Sequence, residues 1–143
     1  MDCIFCDIIN RKSEAEILYE DENIISFLDI RPVNYGHTLV VPKKHYDNLL
    51  SITSSELKYL IDGLQLIARA VEKSVKADGF NIVVNNGKAA GQTVFHFHFH
   101  IIPRFANDFS FRPNFKKYSN GSMKEFANKI RIELNTKRDS IDG

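Results

Sequence analysis

Three histidines stand on alternate positions in the stretch VFHFHFHIIPR, where His96, His98 and His100 are separated by Phe97 and Phe99. In a strand, alternate side chains share a face. The three imidazoles would then lie about 6 to 7 Å apart on one side, with Phe95, Phe97, Phe99 and Ile101 turned to the core. Such a row can be a solvated polar face, a chelating edge, or a nucleophilic site in which the middle ring attacks phosphorus and its neighbours tune charge and protonation. A plain polar face more commonly uses threonine, serine or lysine. No carboxylate or further histidine follows closely enough to complete a catalytic metal set, so nucleophilic catalysis by His98 is the leading expectation. A neutral imidazole suits the task, because its ordinary pKa near 6.5 leaves a lone pair available at neutral pH.

The second group of reactive side chains is Cys3 and Cys6, a single Cys-x-x-Cys. Alone the pair is a weak signal, since a structural zinc site usually has four ligands. Metal binding, redox chemistry and simple burial all remain open.

These residues need a scaffold. The chain has 143 residues, 43% of them hydrophobic and 26% charged, with a net charge of +1. That length suits one domain, 1–143, and the near-neutral charge offers no field to gather nucleic acid or anionic lipid. The short apolar runs and the absence of a basic, apolar leader predict a cytoplasmic protein without membrane association. A reducing compartment also argues against a disulfide between Cys3 and Cys6.

Ile17 to Glu20, Asn23 to Leu28 and His37 to Val41 read as consecutive antiparallel strands separated by turn residues. Thr53 and Glu56 form a capping box, and Leu57, Leu60, Ile61, Leu64, Ile67, Ala68, Val71 and Val75 follow at helical spacing, predicting a long helix that ends near Gly79. Phe80 to Asn86 alternates again, Gly87 to Gly91 turns, and Val94 to Ile102 is a strand stopped by Pro103. Ser122 with Glu125 predicts a capped C-terminal helix. The expected architecture is α+β: an antiparallel meander of about five strands with one long helix on a face and a C-terminal helix. The Asn107 to Asn120 segment has no assignable pattern.

His-Phe-His-Phe-His-Ile-Ile resembles the His-x-His-x-His-x-x signature, x being apolar, of the histidine triad superfamily of nucleotide hydrolases and transferases. The resemblance extends to FLDIRPVNYGHTLVVPKKH (27–45), NNGKAAGQTVFHFHFHIIPR (85–104) and the opening CIFCDII, about two thirds of the chain in order. The small bacterial members near the histidine triad nucleotide-binding proteins are the nearest branch.

The resemblance implies that His98 attacks the α-phosphorus of a purine nucleotide, either a phosphoramidate or a dinucleoside polyphosphate, and forms a nucleotidyl-histidine that water hydrolyses. It places the carbonyl of His96 on the other nitrogen of His98, phosphoryl donors at Gln92, Thr93 and His100, and a close backbone approach at Gly91. Asn85 matches a phosphate or ribose contact and Asp29 the acceptor of the ribose hydroxyls. The base would sit among Ile4, Phe5, Ile8, Phe27 and Ile30, and His37 would support the triad from a neighbouring strand. In several bacterial relatives a structural zinc is held at positions matching Cys3, Cys6, His45 and His96, and a zinc-bound His96 could not protonate the leaving group. A homodimer is also implied.

Taken singly, several of these residues have plainer roles: Phe27, Ile8 and Ile30 as core, Asp29 as an Asx turn, Asn85 and Gly91 as turn residues. His100 in place of glutamine at the last triad position favours the hydrolase branches. The chain lacks tryptophan, whereas the best-known phosphoramidate hydrolases of the family end in a tryptophan-containing loop, so their substrate preference does not transfer. Arg104 and Arg112 are candidates for contacting a polyphosphate. Two other functions compete: a nucleotide-binding regulatory module with little catalysis, and a metal-dependent hydrolase using the triad as ligands.

Overall fold

The computed structural model describes residues 2–108 and 113–142, with side chains through 136. The chain divides into two compact units, Met1–Phe109 and Ser110–Gly143.

The first unit is built on a five-stranded antiparallel sheet. Strands β1 (Ile17–Glu20), β2 (Ile24–Leu28) and β3 (Thr38–Pro42) form the expected meander. The β1–β2 turn closes because the Asp21 carboxylate accepts the amides of Asn23 and Ile24 at 2.8 and 2.9 Å. Helix α2 (Ser54–Val75) then crosses to the far edge. Its first turn is capped by Thr53 Oγ1, which accepts the Glu56 amide at 3.3 Å. It ends at Lys76, a left-handed residue with φ of 55°, three residues short of Gly79. Strand β4 (Gly79–Val83) is the edge, and β5 (Phe99–Arg104) returns between β3 and β4. The strand order β1-β2-β3-β5-β4 therefore puts the last strand in the interior.

Both faces of the sheet are covered, which explains why β3 is buried at every position. On one face, Ile24, Val40, Phe97, Phe99 and Ile101 pack against Leu60, Leu64, Ile67, Ala68 and Val71 of α2. The helix comes close at Gly63, where a Cβ would stand 2.1 Å from Ile24 Cδ1. On the other face, Ile25, Phe27, Leu39 and Val41 meet Phe5 and Ile8 of α1 (Ile4–Ile9). Hydrophobic periodicity cannot reveal a helix this short; it is set by Cys3, whose Sγ accepts the Cys6 amide at 3.4 Å.

Three expectations about the histidine stretch need correction. Ladder pairing begins only at Phe99, opposite Val40, so residues 94–98 are irregular backbone. Its bonds go elsewhere: the Phe97 amide donates to Tyr46 O at 2.6 Å. Phe95 consequently misses the core and is 47% exposed. Pro103 does not stop the strand. β3 begins at Thr38, opposite Ile101, and the Pro103 carbonyl on that side accepts Asn34 Nδ2 at 2.8 Å, so a missing N–H there breaks no ladder bond.

In the second unit, α3 (Ser122–Asp142) is the expected C-terminal helix. Ser122 does not cap it. Its hydroxyl donates to Ser119 O at 2.8 Å, and the Glu125 amide goes to Gly121 O at 3.1 Å, so Ser122 is the first helical residue.

Candidate functional site

His98 stands one residue before β5 and His100 is its second residue. Alternation sends Phe97 and Phe99 toward α2 and leaves both imidazoles on the face that α1 covers only in part. Between α1, β2 and these rings is a cleft of about 290 Å³. Its apolar wall includes Ile4, Phe5, Ile8, Phe27, Ile30 and Leu39; its polar side includes Asp29, Thr93, His98 and His100.

The ring tautomers follow from their partners. His98 Nδ1 lies 2.6 Å from His96 O; a carbonyl only accepts, so Nδ1 carries the proton and Nε2 a free lone pair. The Val33 amide donates to His37 Nδ1 at 3.1 Å, which puts the His37 proton on Nε2. That nitrogen is 2.9 Å from His100 Nδ1 and 3.6 Å from Asp29 Oδ2. His100 Nδ1 therefore accepts, and its Nε2–H is the donor left for the cleft. Burial lowers the pKa values of His98 and His37 and pushes His100 down to about 4, where neighbouring His98 and His37 act in the same direction. All three rings are neutral at neutral pH. The arrangement offers a neutral nucleophile beside a fixed N–H donor.

His96 points the other way. It is wholly buried, with Nε2 donating to Pro42 O at 2.8 Å and Nδ1 facing Cys3 Sγ at 3.4 Å and Cys6 Sγ at 3.6 Å. His45 repeats the pattern, donating from Nε2 to Asp47 Oδ1 at 3.0 Å and turning Nδ1 to Cys6 Sγ at 3.4 Å. The ligating atoms of Cys3, Cys6, His45 and His96 all lie within 4.8 Å of one another. Tetrahedral zinc, with bonds of about 2.3 Å to sulfur and 2.0 to 2.1 Å to nitrogen, requires sulfur-to-nitrogen edges of about 3.5 Å. The donor set fits, and the Pro42 carbonyl and Asp47 carboxylate that accept the outer N–H groups of His96 and His45 are the partners metal-bound imidazoles usually have. Burial and the neighbouring Cys3 raise the Cys6 thiol to about 11, so Cys6 favours the neutral thiol unless a cation is bound.

Several expected residues are placed differently. His96 reaches the cleft chemistry only through its carbonyl, because both ring nitrogens are engaged elsewhere. Gln92 is 2% exposed and is not a phosphoryl donor in this conformation. Its carboxamide accepts the Gly87 amide and donates to the carbonyls of Asp47 and Val94, while its own amide goes to Gly87 O. Asn85 does not line the cleft; its carboxamide lies 3.9 Å from where a Cβ would stand on Gly91. Gly91 has φ of 95°, which side chains rarely adopt. Asp29 combines two roles: Oδ1 accepts the Arg31 amide at 2.8 Å as an Asx turn, yet the residue lines the cleft. Ile30 reaches the same wall while 91% exposed. Arg104 pairs with Asp108 at 3.2 Å, four residues beyond His100 and outside the cleft lining. Arg112 lies outside the described residues.

Sequence reasoning missed Leu39, Glu14, Ala15 and Arg31 at the cleft, and Pro42 and Asp47 behind the imidazoles. Asp47 had a signal, its position two residues after His45. Backbone acceptors such as Pro42 O have none.

A sheet that presents the buried His98 imidazole to an apolar cleft, which the Asp29 carboxylate also lines, is suited to nucleophilic attack on a bound electrophile. The chain belongs to the HIT domain family, whose model matches residues 10–107. The family comprises nucleotide hydrolases and transferases. Adenylylsulfatase HINT3 of Arabidopsis thaliana is 44% identical over 107 residues, 75% of this chain and 54% of that protein. The crystal structure of SMU.412c from Streptococcus mutans UA159 superposes with a TM-score of 0.86 at 42% identity, covering 93% of this chain and 85% of that one. A Zn-bound histidine triad family protein from Mycobacterium smegmatis has a TM-score of 0.73 at 45% identity, covering 81% and 85%. Among the described residues, no helix is long and apolar enough to cross a membrane.

Proposed function

We propose that the protein hydrolyses purine nucleoside phosphoramidates or dinucleoside polyphosphates at the α-phosphorus, through a covalent nucleotidyl-His98 intermediate. The observation that carries this is the His98 Nδ1 contact to His96 O at 2.6 Å, which leaves Nε2 as a nucleophile facing the cleft. The base lies against Phe5, Ile8, Phe27, Ile30 and Ile4, and the ribose diol on Asp29. His98 Nε2 bonds to phosphorus as the bond to the leaving group breaks. His100 Nε2–H and the Thr93 hydroxyl serve as donors to the phosphoryl oxygens or the leaving group, and the Gly91 turn, against which Asn85 lies, sets the backbone that leads to Thr93. His96 protonates nothing, since its ring is enclosed. Water then attacks the nucleotidyl-imidazole and releases the monophosphate.

Cys3, Cys6, His45 and His96 would hold a structural zinc, whose chemistry there is to cross-link α1 to the loop after β3 and to the triad segment. The fitting sulfur-to-nitrogen distances and the Zn-bound relative support this. The proposal takes 1–143 as one histidine triad domain acting as a homodimer in the cytoplasm, without nucleic-acid or membrane partners. The binding-module reading keeps the cleft but predicts no turnover.

The test is hydrolysis of an adenosine phosphoramidate and a diadenosine polyphosphate by wild type and His98→Ala, with intact-mass analysis of rapidly quenched wild type. Turnover abolished by the substitution, together with a nucleotidyl adduct, supports the mechanism. Nucleotide binding without cleavage of either compound overturns it in favour of the binding module. Loss of turnover at saturating substrate on chelation while the fold is retained, with no nucleotidyl adduct in the loaded protein, would favour the metal-dependent hydrolase.

A further inference from the structure

The zinc-type centre and the nucleotide cleft share more than proximity. Cys3 and Cys6 flank Ile4 and Phe5, so the short helix that supplies two metal donors also supplies part of the apolar cleft wall. The Phe5 ring is edge-on to His98 at 5.0 Å, to His96 at 5.9 Å and to Phe27 at 5.4 Å between centroids. It thus touches a metal donor, the nucleophile and the wall of the cleft at once.

His96 is the second link: its ring faces the sulfurs while its carbonyl holds the His98 proton. His98 precedes the first ladder pair of β5. Its placement therefore depends on tertiary bonds from the loop that carries His45. Tyr46 O accepts the Phe97 amide at 2.6 Å, and Asp47 O accepts Gln92 Nε2 at 2.6 Å. Gln92 ties that same loop to Gly87 and Val94.

We propose that metal occupancy of the Cys3/Cys6/His45/His96 centre and nucleotide occupancy of the cleft favour one another, coupled through Phe5 and His96. The proposal rests on the zinc and nucleotide readings above. An ion gathering the four donors orders α1 and residues 92–98, the same segments a nucleotide requires ordered. Ordering achieved by one ligand is no longer a cost to the other, and the effect is reciprocal.

The experiment measures the zinc affinity of the full-length protein by equilibrium competition with a chromogenic chelator, with and without saturating AMP, with inorganic phosphate as the control for weak chelation. Zinc content and AMP affinity are determined first. AMP is expected to raise the zinc affinity about 5-fold or more, the lower end of ordinary coupling, and phosphate is not. Zinc depletion should weaken AMP binding, titrated on protein shown folded by circular dichroism. In Phe5→Leu, which retains all four donors, the protection should shrink. Equal zinc affinities with AMP demonstrably bound would overturn the coupling and leave both parent readings intact. A protein that holds no zinc, or binds no AMP, refutes the corresponding reading and this proposal with it.

Discussion

His37 contributes no atom to the cleft lining, yet it determines which nitrogen of His100 bears a proton. Replacing it with phenylalanine removes the donor 2.9 Å from His100 Nδ1, so His100 can move its proton to Nδ1 and present a lone pair where a donor is needed. The loss should be at least that of one hydrogen bond, about 1 kcal/mol or 5-fold. It should stay below the roughly 10²- to 10³-fold that follows complete removal of an oxyanion donor, because the His100 ring is still present. A fall in kcat of about 30-fold lies between these limits, with KM changed less than about 3-fold since the base wall and Asp29 are untouched. His37→Gln can still donate from its carboxamide and should recover most of the loss. The assay is steady-state release of the monophosphate, with Tm of each variant as a control, because the phenylalanine also orphans the Val33 amide at a cost of about 1 to 3 kcal/mol. A folded His37→Phe enzyme with wild-type kcat, or a glutamine variant as impaired as phenylalanine, would refute the tautomer argument.

Acidification should act through the buried rings. His100 is held down to about 4 from an ordinary 6.5, so the unfolded chain binds its proton first as pH falls. The stability contribution is complete above about pH 6.5 and is lost between there and about pH 4, up to about 3 kcal/mol and less where water screens the ring; urea unfolding across that range reads it. The acid limb of kcat/KM should likewise fall below the usual histidine range, because His98 is depressed in the same direction. Gly91→Ala forces a side chain into φ of 95° and should cost about 1 to 2 kcal/mol, with weakened AMP binding by calorimetry because the turn leads directly into Thr93. Gly63→Val should lower stability by about 1 to 3 kcal/mol, since even a Cβ meets Ile24 Cδ1 at 2.1 Å; an unchanged denaturation midpoint would show that Ile24 can yield.

Much of the scaffold was legible from local pattern. Alternation and turn residues marked β1 to β4, and the Thr53 cap with its helical apolar spacing marked α2, because each is stabilised by interactions a few residues apart. The family was legible as well, since the spaced histidines and the GQT-led segment form one joined motif. Three matters belonged to the tertiary structure. Residues 94–98 alternate as a strand should but find no ladder partner, and the amide at Phe97 turns to Tyr46 O; pairing is a property of two segments. Gln92 had the chemistry of a phosphoryl donor, yet three backbone groups drawn from residues 47, 87 and 94 claim its carboxamide. And identical imidazoles in one row acquired opposite duties: His96 turns its lone pair to the sulfurs, His98 to the cleft, and His100 bears a proton there. Composition and spacing can supply an imidazole, but which nitrogen is protonated depends on the carbonyl, amide or ring that folding brings against it.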